Sequence, residues 1–281
     1  MDPAALIIGS MYTITAFLPA PVLIKNPTFN KSDCFWILAQ VAIFDLLFII
    51  GEGLVGITVM SQHKLYGFTE YVAIPVLAST WFGSFALNCL LAFNRLVVLS
   101  EIEVPKRLIQ VFYVLSYLYF LFFFVVYVSR LAPMPFVDDY SFAYDLSVPF
   151  GCVVQKFEVF SGGTVLAITF LIYVSIIGFI LKTKKGFCHK PGYTKELGIF
   201  LQSVITFVSG AVIEFMWNIG IHSLPDSIWT GAVINTYIIF HASRLQPGFL
   251  LMLNSSLRKA CFPWTWGSSG IVTPQMSSTY F

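Results

Sequence analysis

The sequence predicts an all-α membrane protein, a bundle of seven transmembrane helices, and two observations carry this prediction. Of the 281 residues, 57% are hydrophobic and only 11% are charged. A soluble domain is about 45–50% apolar and about 25% charged, so this chain has too few charges to cover a water-soluble globule. In addition, apolar runs of about 20 residues, long enough to cross the hydrocarbon core, recur along the chain. The net charge of +2 gives no reason to expect a nucleic-acid partner.

Seven segments are long and apolar enough to span a bilayer, and together they form a domain of residues 1–253. The first segment follows no basic region typical of a cleaved signal peptide, so we expect it to remain as a helix. The aromatic-rich run at residues 112–124 is continuous rather than alternating, which disfavours a β-barrel. Residues 254–281 are expected to form a cytosolic tail that begins with a short interfacial helix. The predicted spans are 4–24, 35–60, 71–99, 108–128, 158–181, 197–219 and 229–253.

The basic residues are distributed unevenly between the two sides of these spans. Eleven lie in the first, third and fifth connections and in the tail, whereas the opposite side has Lys64, Arg130 and Lys156. The positive-inside rule therefore predicts an outward amino terminus and a cytosolic carboxyl terminus. Two glycosylation sequons, at Asn30 and Asn254, fall on the predicted cytosolic side and favour the opposite orientation.

Polar residues inside the spans follow helical spacing and are predicted to face one interior. Residues three, four or seven apart share a helix face, and ionisable groups in a membrane usually point into the bundle. The stripes are Asp45 and Glu52 in the second span, Leu77, Trp81, Ser84, Asn88 and Arg95 in the third, Ser203, Phe207, Gly210, Glu214 and Trp217 in the sixth, and Tyr237, His241, Arg244 and Gly248 in the seventh.

Two charged residues of this predicted interior lie at the same depth in the membrane and could form an ion pair. By the helical rise, Asp45 lies roughly 15 Å and Arg244 roughly 13 Å from the cytosolic ends of their spans. An unpaired charge at that depth is costly, so we predict that the two side chains pair. The alternative is that polar neighbours or water solvate each one separately. The predicted interior network also includes Ser84, Asn88, His241 and Gln246.

A second group lies nearer the outer side and forms the predicted ligand-binding site. Glu52 and Glu214 are each roughly 26 Å from the cytosolic ends of their spans. With Trp81, Trp217 and Asn218 they are expected to line an outward-facing pocket. Aromatic faces beside carboxylates suit cations or amphipathic small molecules. The alternative is that both glutamates are protonated and serve only as hydrogen bonds between helices.

The chain shows no enzyme or metal-binding motif. Neither His-Glu-x-x-His nor Gly-x-Ser-x-Gly occurs, the five cysteines lack metal-ligand spacing, and the four histidines do not cluster. We therefore expect no catalytic residue, metal or cofactor. A seven-span channel or transporter is the alternative function, with a polar path formed by Asp45, Glu52, Glu214 and Arg244. The lack of visible internal repeats counts against a repeat-built transporter.

Three short motifs stand in corresponding spans of a known family. They are Phe44–Leu47 (FDLL) in the second span, Leu91–Arg95 (LAFNR) at the end of the third, and Gln246-Pro247 followed by residues 253–259 (LNSSLRK) at the end of the seventh. With its seven spans, the chain resembles G protein-coupled receptors. It is most similar to the nematode serpentine chemoreceptors of class T, with class X as neighbour. The resemblance covers nearly the whole chain in span order and loop length.

The resemblance implies a multi-pass plasma-membrane receptor that binds a small molecule and activates a heterotrimeric G protein. Asn94 and Arg95 would face the G protein, with Arg95 in the place of the arginine of the Asp-Arg-Tyr motif. Asp45 would anchor the interior network, and Pro247 would match the proline of the seventh-span motif. From its position after the last span, Cys261 is a palmitoylation candidate.

The chain also departs from this family. Most relatives carry a cysteine at the outer end of the third span, bonded to the second extracellular loop. Here Cys152 is expected in that loop, but the segment around Tyr71 offers no partner. The sixth span has Trp217 but lacks a proline.

Overall fold

The computed structural model describes residues 33–61, 66–137, 141–187, 193–218, 224 and 227–242. These residues are nearly all helical. The first predicted span and the tail, with Cys261, lie outside the described residues, as do Arg244 and Gln246. The main helices correspond to the second to seventh predicted spans; they are α1 (Asp33–Ser61), α2 (Ile74–Ser100), α3 (Lys106–Val128), α4 (Pro149–Phe187), α5 (Tyr193–Asn218) and α6 (Ile228–Phe240).

Five helices in the described part of the chain are long and apolar enough to cross a membrane. Their candidate spans are Trp36–Ser61, Thr69–Ser100, Lys106–Val128, Pro149–Lys182 and Phe200–Asn218, and Trp229–Phe240 is a shorter apolar helix. Large apolar side chains such as Leu118 and Phe160 are exposed on the outside of the bundle. A lipid-facing helix surface is apolar in this way because no water is present to solvate polar groups. The prediction of an all-α, multi-pass membrane protein is confirmed.

The start of α2 is shaped by a proline near its first turn. A short helical turn, Tyr66–Phe68, and a π-helical segment, Thr69–Ala73, lead without a break into α2. Pro75 has no backbone N–H and its ring crowds the preceding turn, so a wider helical turn before it relieves the conflict. At its other end α2 stops at Glu101, which has φ 54° and donates its backbone N–H to the Val97 carbonyl.

Helix α4 begins earlier than the hydropathy pattern predicted. Its first residue is Pro149 rather than Glu158, the predicted start of the fifth span. The polar pair Gln155-Lys156 lies within the helix, because a helix can continue beyond the apolar layer. Cys152 therefore lies in the first turn of α4, and its expected position in the loop was wrong.

Helix α2 is the centre of the bundle and packs against α1, α3, α4 and α5. Glycines allow the closest approach to its neighbours. A Cβ atom at Gly51 of α1 would lie 2.9 Å from the Cβ atom of Leu77, and one at Gly83 of α2 would lie 2.8 Å from the ring of Phe44. A larger residue at Gly51 would force α1 and α2 apart, whereas one at Gly83 would first require the Phe44 ring to shift.

The connection between α3 and α4 folds into a small hairpin, which the sequence analysis did not predict. Strands β1 (Phe136–Val137) and β2 (Ser141–Phe142) pair antiparallel, with Phe136 opposite Phe142. Backbone hydrogen bonds from Ala143 to Pro135 (3.2 Å) and from Asp145 to Pro133 (3.0 Å) continue the pairing. Met134 and Phe142 are buried in the hydrophobic core. The α3–α4 hairpin, of which residues 133–137 and 141–145 are described, therefore closes one end of the bundle, here called the hairpin end.

Candidate ligand-binding site

A cavity of about 50 Å³ lies beneath the α3–α4 hairpin. Four of the five predicted ligand-binding residues line it, namely Glu52, Trp81, Glu214 and Trp217. They come from three helices, α1, α2 and α5, and the two glutamates, for which the sequence predicts equal depth, line the same cavity. The fifth, Asn218, lies one turn beyond Glu214 on α5 and contacts it.

Glu214 is held by neutral donors on two sides. The Nδ2 atom of Asn218 donates to Oε1 of Glu214 at 3.0 Å, and the indole Nε1 of Trp81 donates to Oε2 at 3.5 Å. Helix α4 leaves room for this carboxylate through Gly162, where a Cβ atom would lie 3.1 Å from Oε1. The geometry fixes Glu214 between three helices.

Glu52 differs from Glu214 in having an unsatisfied acceptor. Its side chain is 2% exposed, and its Oε2 atom has no hydrogen-bond partner among the described residues. A buried polar atom without a partner costs free energy and is rare in folded proteins. Glu52 is thus the carboxylate of the cavity that can accept a further donor.

A third glutamate, Glu158 of α4, lines the same cavity and was missed by the sequence analysis. Its Oε2 atom accepts hydrogen bonds from the hydroxyls of Tyr127, at 3.3 Å, and of Tyr144, and the two hydroxyls lie 2.7 Å apart. Burial and the neighbouring Glu158 carboxylate raise the pKa of Tyr144, in the hairpin, above its usual value, so its phenol remains a donor. The sequence feature that could have identified Glu158 is its position as a carboxylate near the start of an apolar run.

Aromatic side chains form much of the wall. The rings of Phe48 and Trp81 lie 5.5 Å apart, and Phe142 of the hairpin lies 5.9 Å from Trp217. Trp81 also approaches His241 of the segment after α6, with ring centroids 6.0 Å apart. The cavity is therefore an apolar, aromatic space that holds three carboxylates.

The hairpin is attached to the π-helical segment that leads into α2 by a set of contacts that we call the Glu70 clasp. The backbone N–H of Phe136 donates to Oε1 of Glu70 at 3.1 Å, and Oε2 of Glu70 lies 3.8 Å from a guanidinium nitrogen of Arg130. The same guanidinium stacks over the Tyr71 ring, 4.0 Å from its centroid. This clasp links the start of the third predicted span to the hairpin between α3 and α4. Cys152 forms no disulfide in the described part of the chain.

Part of the predicted interior network is observed, deeper in the bundle than the cavity. Asn88 donates to the Ser84 hydroxyl at 3.4 Å, and Ser84 donates to Oδ1 of Asp45 at 3.0 Å. His241 belongs to a second group, in which its Nδ1 atom lies 2.9 Å from the Ser209 hydroxyl. Asn88 and His241 line one small cavity of about 30 Å³. Arg244, the predicted partner of Asp45, and Gln246 lie outside the described residues, so the Asp45–Arg244 pair stays a prediction.

Comparison with solved structures identifies the architecture. The chain is similar to the crystal structure of squid rhodopsin, with a TM-score of 0.77 over 96% of this chain and 88% of that one, at 13% sequence identity. The fold is that of rhodopsin. The predicted seven-helix bundle is thereby confirmed. No family model matches the chain, and no curated protein matches it either. The resemblance to nematode class T or class X receptors stays a prediction.

The predicted G protein contacts are buried in this conformation of the rhodopsin fold. Asn94 and Arg95 are 4% and 1% exposed. Arg95 donates a hydrogen bond from Nη2 to the Cys34 sulfur at the start of α1. Neither side chain reaches the surface at the end of α2, so contact with a partner requires the helices to separate there.

Proposed function

We propose that this protein is a G protein-coupled receptor of chemosensory type, located in the plasma membrane, which binds a small molecule in the cavity at its hairpin end. One observation carries the proposal. The cavity draws one polar side chain or more from each of five helices: Glu52 (α1), Trp81 (α2), Glu158 (α4), Glu214 (α5) and Asn235 (α6). A ligand there contacts all five helices at once, so its affinity depends on how they are arranged.

That dependence supplies a signalling mechanism. A ligand that binds one helix arrangement more tightly than another shifts the population toward it. The arrangement favoured by an agonist would release Asn94 and Arg95 at the opposite end and present them to a heterotrimeric G protein. The predicted orientation supports this assignment because it puts the hairpin outside and the end of α2 in the cytosol.

The experiment that tests this function combines G protein activation with a charge-removing variant. Purified receptor and G protein are assayed for nucleotide exchange in the presence of a ligand panel, with Arg95→Ala compared with Lys156→Ala. Both variants remove one positive charge, but Lys156 is exposed near the start of α4, whereas Arg95 is buried. We expect Arg95→Ala to abolish exchange while ligand binding persists, and Lys156→Ala to leave both unchanged.

Two results would contradict the proposal. Unchanged exchange in Arg95→Ala would remove this residue from the mechanism. Ligand-evoked current in cells without functional G proteins would favour the channel or transporter, in which Asp45, Glu52 and Glu214 would belong to an ion path.

A further inference from the structure

The chemistry of the cavity indicates which class of ligand it takes, if it is the ligand site proposed above. The central observation is the Oε2 atom of Glu52, which is buried and has no hydrogen-bond partner among the described residues. A native protein rarely leaves a buried carboxylate oxygen in this state without a reason. A donor on a ligand that enters the cavity would satisfy this oxygen.

The other two carboxylates do not share this deficit. Glu214 accepts from Trp81 and Asn218, and Glu158 accepts from two tyrosine hydroxyls. All of these donors are neutral. Among the described residues that line the cavity, none is a lysine, arginine or histidine. The described walls thus bring three acidic groups together and provide no positive charge to balance them.

The aromatic side chains that line the rest of the cavity suit both the apolar part and the positive charge of an organic cation. Phe48, Trp81 and Phe82 line the cavity beside Glu52, and aromatic faces attract cations through their quadrupole. The space is small, since pockets for drug-sized ligands measure about 300–1,000 Å³, against about 50 Å³ here. The ligand is therefore compact.

We infer that the cavity selects a compact primary or secondary organic ammonium ion, with Glu52 as its counter-ion. The ammonium N–H donates to Oε2 of Glu52, and the apolar part of the ligand packs against Trp81 and Phe82. A quaternary ammonium ion has the charge but no N–H, and an alcohol of the same shape has a donor but no charge. Both are poorer ligands for this site.

The test uses the purified full-length protein in lipid nanodiscs at neutral pH. The probes are butylammonium, 1-butanol and tetramethylammonium. Binding is measured by the change in tryptophan fluorescence, because Trp81 and Trp217 line the cavity, and by thermal stabilisation. We expect butylammonium to bind at least tenfold more tightly than either other probe. Loss of a charge-assisted hydrogen bond in Glu52→Gln should weaken butylammonium roughly 10- to 100-fold and leave 1-butanol unchanged.

Glu103→Gln is the matched control, since it removes one carboxylate charge from an exposed position outside the cavity. It should not change the affinity for any probe. Equal affinities for butylammonium and 1-butanol would overturn the inference, as would no butylammonium binding at millimolar concentration. Unchanged affinity in Glu52→Gln would do the same. If Glu52→Gln does not fold, the comparison of the three probes on the wild-type protein still decides the matter.

The same experiment separates this inference from the proposed function. Glu52-dependent binding of butylammonium without G protein activation would leave the ligand class standing and count against the receptor function. G protein activation by neutral ligands alone would support the receptor function and count against the ammonium ion as the ligand class.

Discussion

Removing the Glu70 clasp should release the α3–α4 hairpin from the bundle, and its cost can be worked out from the contacts. The hydrogen bond from the Phe136 backbone to the Glu70 carboxylate, at 3.1 Å, is of the charge-assisted kind that contributes about 1.5–3 kcal/mol. The ion pair to Arg130 is longer, 3.8 Å, and the two side chains are 38% and 19% exposed, so it contributes only about 0.2–1 kcal/mol. Glu70→Ala should therefore destabilise the closed hairpin by roughly 2–4 kcal/mol.

Hydrogen–deuterium exchange measures this effect directly. The amides of Ala143 and Asp145 are hydrogen-bonded across the hairpin, and they exchange when it opens locally. At 1.4 kcal/mol for each factor of ten, the loss predicts exchange roughly 30- to 1,000-fold faster in Glu70→Ala. Glu70→Gln keeps an acceptor for the Phe136 amide and loses the charge, so its effect should be smaller. Arg130→Gln should have an effect of tenfold or less.

Glu103→Ala serves as the control, because it truncates an exposed glutamate away from the hairpin. Exchange at Ala143 and Asp145 that is the same in Glu70→Ala as in this control would refute the reasoning. An Arg130→Gln effect larger than that of Glu70→Ala would also refute it, since the ion pair rather than the backbone hydrogen bond would then hold the hairpin.

Two further predictions concern packing and pH. Gly51→Ala places a Cβ atom 2.9 Å from the Cβ atom of Leu77, so α1 and α2 must separate by about 0.6 Å to reach an ordinary contact, which costs about 1–3 kcal/mol. Its melting temperature in detergent should fall below that of Gly163→Ala, which meets no atom within 4 Å; equal values would contradict the close packing. Hydrogen bonds from Ser147 lower the pKa of Asp145, so this turn is stabilised above the usual aspartate pKa and loses that stabilisation as the pH falls through the lowered value. Faster exchange of the Ser147 amide at acidic pH, after correction for the intrinsic rate, is the measurement, and a pH-independent corrected rate would contradict it.

Much of the architecture followed from the sequence because membrane helices obey simple rules. Long apolar runs with few charges have no other stable arrangement in a bilayer, so the helices could be located from hydropathy. Helical spacing placed Glu52, Trp81 and Glu214 on inward faces, and the rise per residue placed the two glutamates at equal depth. The structure brings these three side chains to one cavity.

The parts that the sequence analysis missed depend on tertiary structure. Glu158 was placed at a span boundary, because hydropathy does not reveal that α4 continues to Pro149. The hairpin has two strands of two residues each, too short to produce an alternating pattern. Glu70 contacts Phe136 across 66 positions of the chain, and no local pattern encodes such a contact. The polar pair Asp45–Ser84 was present in the predicted network, but only the structure shows which atoms meet.

The polar stripe of α2 runs from the cavity beneath the hairpin into the interior of the bundle. Trp81 contacts Glu214 at the cavity, and Ser84, three residues later on the same face, holds Asp45. Arg95 continues the face to the other end of the helix, where it contacts Cys34. If α2 rotated as a nearly rigid rod, the contacts of Trp81, Ser84 and Arg95 would change together, because the three residues lie on one face. The face of α2 that lines the cavity is thus also the face on which Arg95 is buried.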